Sequence, residues 1–155
     1  MPYSADVRIH RAKLEEIDAA YGIVSEYYEA VSVLVRDDRI AFEQEYFVDG
    51  AGLWLATAED EVIGCIGLHR LSHLKDGAEV KRLYVRTAYR GQGVAEALLQ
   101  TLEDYATEQG YKALYLDSKK DLMPAIRFYR RHGYAPCSRY NDNPQATIFM
   151  RKELH

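Results

Sequence analysis

Cysteine and long apolar runs are scarce in this chain, and each scarcity excludes a class of protein. Two cysteines, Cys65 and Cys137, among 155 residues cannot build a disulfide framework, so we expect a reducing, cytoplasmic environment. No apolar stretch approaches the ~18–20 residues that span a bilayer, and no basic head with an apolar run begins the chain. The sequence therefore predicts neither a membrane helix nor a secretory signal.

Positive charge is also in slight deficit, since 20 basic and 24 acidic residues give a formal net charge of −4. This balance argues against non-specific binding of nucleic acid. The chain does have 48% hydrophobic residues and enough length for one domain with a substantial core. Its ten glycines and four prolines are scattered, with no repeat or linker between them. We therefore expect residues 1–155 to form a single domain.

Hydrophobic periodicity predicts the order strand, two helices, three strands, helix, strand, helix and two strands. The strand–helix–strand unit within residues 78–116 implies one parallel pair, and the three-strand run implies antiparallel pairs. We therefore predict an α/β fold with a mixed, mostly antiparallel sheet of about seven strands and about four helices. The predicted elements are Val7–His10, Leu14–Ala30, a helix within Val31–Phe47, Leu53–Ala58, Val62–Leu71, Ala78–Val85, a helix with its apolar stripe from Val94 to Ala106, Ala113–Leu116, Leu122–His132, Tyr134–Tyr140 and Ala146–Met150.

The most informative stretch is Arg90-Gly91-Gln92-Gly93-Val94-Ala95, between a predicted strand and a predicted helix. Glycine lets the backbone approach a ligand, and the first amides of a helix can bind phosphate oxygens. Glu96 replaces the third glycine of a dinucleotide fingerprint, and no P-loop Gly-Lys-Ser/Thr follows. Four basic and no acidic side chains in residues 80–95 favour a polyanionic ligand, or are simply solvated: Lys81, Arg82, Arg86 and Arg90.

In this context the sequence resembles the GCN5-related N-acetyltransferase (GNAT) superfamily. The family signature is Gln or Arg, two variable residues, Gly, one variable residue, then Gly or Ala, which Arg90, Gly93 and Ala95 match. Ala78–Val85 resembles the fourth strand of the family, and residues 125–134 resemble the helix and turn that contact pantetheine and sulfur. The resemblance implies a GNAT fold, twisted and opened as a V between the fourth and fifth strands, with acetyl-CoA (coenzyme A) as cofactor.

The resemblance also implies a set of cofactor contacts. Amides of residues 90–95 would bind the pyrophosphate, with the Arg90 side chain as a further phosphate contact. Backbone groups of residues 83–85 would bind pantetheine and polarise the acetyl carbonyl. The sequence departs from the family at Thr87-Ala88-Tyr89 and at Asp117-Ser118, where many members have Pro-Glu-Tyr and Asn. The expected cofactor-binding residues are Leu83, Tyr84, Val85, Arg90, Gly91, Gln92, Gly93, Val94, Ala95, Ser118 and Tyr129.

Two side chains carry the catalytic chemistry that the resemblance implies. An ammonium acceptor has a pKa of about 10 and must lose a proton before it attacks. Glu79 aligns with the glutamate that acts as base in several GNAT enzymes, and a salt bridge to a neighbouring cation is the alternative. Tyr129 aligns with the tyrosine that protonates the departing thiolate, and an aromatic packed between helix and sheet is the alternative.

The resemblance places the acceptor pocket beside the N-terminal helices and the final hairpin. Residues 14–50 carry ten acidic and two basic side chains, which would attract a cationic amine, with solvated helix faces as the alternative. The expected substrate-binding residues are Tyr27, Tyr28, Glu79, Tyr140 and Asn143.

The function expected from these features is transfer of an acetyl group from acetyl-CoA to a primary amine. The acceptor would be a small molecule or amino-acid-like, attacking directly in a ternary complex. A protein or peptide N-acetyltransferase and a non-catalytic acyl-CoA-binding regulatory module remain alternatives. We expect no metal, because His69 and His73 would stand ~13 Å apart along a strand. We expect no nucleic-acid or membrane partner, and the sequence is compatible with a homodimer.

Overall fold

The computed structural model describes residues 6–31, 38–74 and 76–155, so residues 32–37 of the second predicted helix lie outside the described part. Single turns of 3-10 helix stand at Leu14–Glu16 and Thr87–Tyr89. In chain order the described elements are β1 (Arg8–Arg11), α1 (Ile17–Val31), α2 (Arg39–Tyr46), β2 (Gly52–Ala58), β3 (Glu61–Arg70), β4 (Gly77–Val85), α3 (Val94–Glu108), β5 (Ala113–Ser118), α4 (Met123–Arg131), β6 (Ala135–Pro136) and β7 (Ile148–Glu153).

The seven strands form one mixed sheet in the order β1-β2-β3-β4-β5-β7-β6. β4 and β5 run parallel and every other neighbouring pair is antiparallel. This confirms the predicted fold class, the number of strands and the parallel pair that a helix connects.

The two final strands differ from their predicted bounds. The predicted strand Tyr134–Tyr140 shrinks to Ala135–Pro136, because Tyr140 turns away and its hydroxyl binds Glu79. The predicted strand Ala146–Met150 begins later and continues to Glu153. Its last three residues, 151–153, are charged, so the hydrophobic pattern did not predict them as strand. The ammonium of Lys152 donates to the Glu103 carboxylate of α3.

The sheet is covered on both faces, and the alternation of side chains along β2 shows how. Leu53 and Leu55 pack with α1 and α2, whereas Trp54 and Ala56 pack with the α3 and α4 side. All four side chains are buried, which explains why this strand has a continuous apolar sequence. The helices thereby frame the central strands from two sides.

The central strands part soon after they pair. β4 and β5 share only three residue pairs, from Gly77 with Ala113 to Glu79 with Tyr115. Further along β4, the register with β3 shifts between Cys65 and Gly67. In the same stretch Arg82 takes a left-handed φ of 62°. This bulge turns β4 away from β5 and leaves a gap between them.

Candidate active site

Two cavities adjoin the gap between β4 and β5. The larger, of about 580 Å³, runs along the end of β4, the glycine-rich turn and α4. The smaller, of about 450 Å³, lies among the end of β3, the start of β4 and residues 141–145. Lys81, Arg82 and Asp117 line both. The two cavities therefore meet where the strands part.

The glycine-rich turn presents open amides to the larger cavity. Gly91 and Gly93 have φ of 73° and 84°, a conformation that glycine adopts without steric cost. Gly93 caps α3, and its carbonyl accepts from the Ala97 amide at 3.1 Å. The first amides of α3, those of residues 94–96, then have no acceptor within the helix. Such amides can bind an anion, and diphosphate binding at this turn stays a prediction.

Arg90, which we expect to contact a phosphate, makes hydrogen bonds within the protein. Its amide donates to the Thr87 carbonyl at 3.2 Å, and its Nε donates to the Val85 carbonyl at 2.8 Å. The guanidinium also lies 5.9 Å from the centre of the Tyr84 ring. The open amides of the turn therefore begin after Arg90, whose side chain braces the end of β4.

The other cations of this stretch have protein partners as well. Arg86 makes a two-pronged contact with Glu26 at 2.9 and 3.0 Å, and this guanidinium holds the pKa of the Glu26 carboxyl below its usual value. The Lys81 ammonium lies 3.3 Å from a Glu45 oxygen, and the Arg82 guanidinium lies 4.8 Å from the Tyr28 ring centre. These contacts hold β4 to α1 and α2.

Several acidic side chains of the N-terminal region also have partners within the protein. Glu16 binds His10 and the Lys13 amide, and Asp18 pairs with Arg39. Asp38 caps α2 by accepting from the Ala41 amide. Glu26 and Glu45 pair with Arg86 and Lys81, so cations from outside residues 14–50 offset part of the expected acidic attraction. Residues 36 and 37 of that count lie outside the described part.

Glu79 is the centre of a hydrogen-bonded cluster at the smaller cavity. Its side chain is 4% exposed, and its Oε2 accepts from the Tyr140 hydroxyl at 2.6 Å and from Asn141 Nδ2 at 3.1 Å. Its Oε1 lies 3.7 Å from the Lys81 ammonium. Burial and the Glu79 charge raise the pKa of the Tyr140 phenol, so this hydroxyl stays a donor. Both a base and an ion-pair partner are compatible with this position.

Asn141 extends the cluster to the gap. Its Nδ2 also donates to Asp117 at 2.7 Å, and Asn143 Nδ2 donates to the same oxygen at 3.3 Å. Asn141 thereby links the carboxylates of Glu79 in β4 and Asp117 in β5. Sequence reasoning missed Asn141, although the polar run from Asn141 to Asn143 was recognisable as a turn.

Tyr129 faces the larger cavity from α4. Its ring centre lies 5.5 Å from those of Phe128 and Tyr134, and the residue is 8% exposed. Burial raises the pKa of its phenol, which keeps the hydroxyl protonated at neutral pH. Within the described residues this hydroxyl has no hydrogen-bond partner. The side chain therefore packs as an aromatic and still presents a donor to the cavity.

The structure groups most of the remaining predicted residues and separates a few. Gln92 is not part of the larger cavity, and its Nε2 donates to the Ala88 carbonyl at 3.2 Å. Tyr27 lines the larger cavity instead of the acceptor side, whereas Tyr28 and Asn143 line the smaller one. Ten predicted cofactor contacts line the larger cavity: Leu83, Tyr84, Val85, Arg90, Gly91, Gly93, Val94, Ala95, Ser118 and Tyr129.

Two searches of the described residues concern metals and membranes. In residues 6–31, 38–74 and 76–155, no group of three or more His, Cys, Asp and Glu side chains could hold a metal ion. Over the same ranges, every helix is too short or too polar to cross a bilayer.

The fold and comparisons with known proteins define the class of this protein, an acyl-CoA-dependent N-acyltransferase. The model of the Acetyltransferase (GNAT) family matches residues 17–134, and the chain belongs to that family. The chain is 27% identical over 158 residues to an uncharacterized N-acetyltransferase of Schizosaccharomyces pombe, covering 97% of this chain and 96% of that one. It spans about half the length of other curated relatives, such as the probable N-acetyltransferase camello of Xenopus tropicalis.

Solved structures share the fold at low sequence identity. A GNAT-family acetyltransferase from Staphylococcus aureus superimposes with a TM-score of 0.83 at 19% identity, over 96% of this chain and 99% of that one. The PaiA N-acetyltransferase from Thermoplasma acidophilum, solved in complex with coenzyme A, gives a TM-score of 0.72 at 15% identity, over 95% and 98% of the two chains.

Proposed function

We propose that the protein transfers an acetyl group from acetyl-CoA to the primary amine of a small-molecule or amino-acid-like acceptor, by direct attack in a ternary complex. The observation that carries this proposal is the pair of cavities that share Lys81, Arg82 and Asp117 at the strand gap. Two substrates that enter from separate cavities can meet there without a covalent intermediate.

The larger cavity suits the donor. The open amides at the start of α3, with the positive end of the helix dipole, would bind the diphosphate. The thioester would then lie in the gap, where β4 beyond Glu79 has no β5 partner in the ladder. Residues 83–85 line this cavity. Their main-chain groups would stabilise the negative charge that develops on the acetyl oxygen.

The smaller cavity suits a compact polar acceptor. Its volume of about 450 Å³ lies in the range of small-molecule sites. Glu79 and Asp117 line it together with Lys81 and Arg82, so both signs of charge are present. An amino-acid-like molecule, with an ammonium and an anionic group, would find a complementary partner for each.

Proton transfer would accompany the attack. Glu79, acting through water, would accept one proton from the ammonium, and the amine nitrogen would then bond to the acetyl carbon. The carbon–sulfur bond would break as the tetrahedral intermediate collapses. The coenzyme A thiolate would take a proton from the Tyr129 phenol, which recovers one from the intermediate's nitrogen. The products are the amide, the free thiol of coenzyme A and one proton.

The cysteines support direct transfer over an acyl-enzyme. Cys65 is fully buried, and burial raises the pKa of its thiol far from the neutral range. Burial raises the pKa of the Cys137 thiol as well. Neither side chain is activated as the thiolate that a covalent mechanism needs.

The test is steady-state kinetics of thiol release with acetyl-CoA and a panel of amines, amino acids and peptides. We expect turnover on a small amine or amino acid and intersecting double-reciprocal lines, as a ternary complex requires. Parallel lines would replace direct attack by a covalent intermediate. Turnover on peptides alone would move the assignment to a peptide N-acetyltransferase, and tight coenzyme A binding without any turnover would make the chain a binding module.

A further inference from the structure

A histidine and a carboxylate meet on the wall of the smaller cavity. His69 of β3 lines this cavity, and its buried Nδ1 lies 3.4 Å from a Glu45 oxygen of α2 without forming a hydrogen bond to a described residue. The side chain is 34% exposed, which leaves Nε2 on the accessible edge of the ring. A proton on Nδ1, facing the Glu45 carboxylate, leaves the Nε2 lone pair free to accept another.

The neighbour of His69 across the sheet is Glu79. The two residues are direct partners in the antiparallel ladder of β3 and β4, so their side chains lie on the same face. Both line the smaller cavity. One water can bridge side chains in this arrangement.

The reaction requires an exit for a proton at this place. An ammonium that becomes an amide loses two protons, of which one ends on the coenzyme A thiol. The other would reach Glu79, whose side chain is 4% exposed and already accepts from Tyr140 and Asn141. A proton on so enclosed a carboxyl leaves more readily if an acceptor nearer to solvent takes it.

We propose that His69 is that acceptor: a proton passes from the ammonium to Glu79, then through water to His69 Nε2, and from the resulting imidazolium to solvent. Glu79 returns to its carboxylate and His69 to its neutral form, so the relay is ready for the next acceptor. This inference rests on the proposed function, because it assumes that the amine binds in the smaller cavity.

The charges around His69 suit a group that is neutral between turnovers. Glu45 faces it from α2, and Glu79, Lys81 and Arg82 face it from β4. Burial lowers the pKa of the His69 imidazole, Lys81 and Arg82 lower it further, and the two carboxylates oppose them. A neutral imidazole at neutral pH is ready to accept a proton and releases it readily.

The first experiment compares His69→Gln with His10→Gln by the pH dependence of turnover. His10 is a matched control, because its Nε2 contacts Glu16 at 2.8 Å outside both cavities. We expect His69→Gln to lose about tenfold or more in kcat near neutral pH. His69→Ala should recover part of its loss when free imidazole is added. The relay is overturned if His69→Gln keeps the wild-type pH profile, or if imidazole rescues nothing.

The second experiment does not depend on turnover. The imidazole carbon-bound protons of His69 are followed by NMR during a pH titration of the wild type and of Glu79→Gln. Since the Glu79 charge raises the pKa of His69, its removal should move the titration to lower pH. An unmoved titration would show that the two groups are uncoupled and would overturn the relay. Absence of amine acetylation in the wild type, with the coupling present, would instead refute the proposed function.

Discussion

The two cavities differ in the chemical groups that would bind their ligands. The part of the larger cavity at residues 91–96 presents backbone amides from one continuous turn, whereas the smaller one presents side chains from β3, β4, β5 and the loop after residue 140. A backbone site needs only the right local conformation, which two glycines provide. A side-chain site needs distant segments to meet, so it can vary without disturbing the donor site.

The largest expected effect tests the chemistry on the donor side. Tyr129→Phe keeps the ring and removes the phenol, so we expect kcat to fall by about 100-fold with coenzyme A affinity nearly unchanged. Steady-state turnover measures kcat, and calorimetry measures the affinity for coenzyme A.

The control for Tyr129 is Tyr134→Phe on the same aromatic cluster. This change removes a hydrogen bond to Glu103 at 2.8 Å and should lower the free energy of unfolding by about 1 kcal/mol while kcat stays the same. If Tyr129→Phe retains wild-type turnover, Tyr129 is a packing residue only.

The next effect tests the backbone site. Gly93→Ala places a Cβ on a residue with φ of 84° at the first amides of α3. We expect about tenfold weaker coenzyme A binding by calorimetry, since a strain of roughly 1–3 kcal/mol is relieved by moving the turn.

Gly110→Ala is the matched control for Gly93, with φ of 88° in open space at the other end of α3. It should lose comparable stability and keep its affinity for coenzyme A. Equal affinities of the two variants would contradict a diphosphate site at the turn.

A smaller effect tests the independence of the side-chain site. Asn141→Ala removes the bonds that join Glu79 and Asp117 at 3.1 and 2.7 Å. We expect the KM for the amine to rise several-fold and the KM for acetyl-CoA to stay constant. Parallel changes in both constants would mean that the two cavities are not separable.

The smallest effect concerns the brace between α1 and β4. Because the pKa of Glu26 is lowered in the fold, its ion pair with Arg86 contributes stability above the unfolded pKa near 4.5, and this is lost as pH falls through the lower, folded value. The pair is partly exposed, so the contribution is below about 1 kcal/mol. Thermal melts of wild type and Glu26→Gln should differ at pH 7 and converge in acid. A constant difference would contradict the linkage.

Local patterns predicted much of this molecule. The apolar run Leu53–Ala58, the helical stripe from Val94 to Ala106 and the glycines at residues 91 and 93 each depend only on their own segment, and the structure has a strand, a helix and a turn there. The end of the chain was harder, because Tyr140 leaves its strand to bind Glu79, which is 61 residues away in sequence. The hydrophobic pattern of a segment does not predict a hydrogen bond to a residue so distant in sequence.

The amino-acid order alone was sufficient for the element sequence, the family resemblance and the place of the glycine-rich turn, since each depends on neighbours within a few residues. The partners of the charged groups came from folding. Arg86 met Glu26, Lys81 met Glu45, and His69 came to face Glu79 because the sheet brings distant strands and helices within a few ångströms. Coulomb and hydrogen-bond energies depend on those distances, which a linear count of charges does not contain.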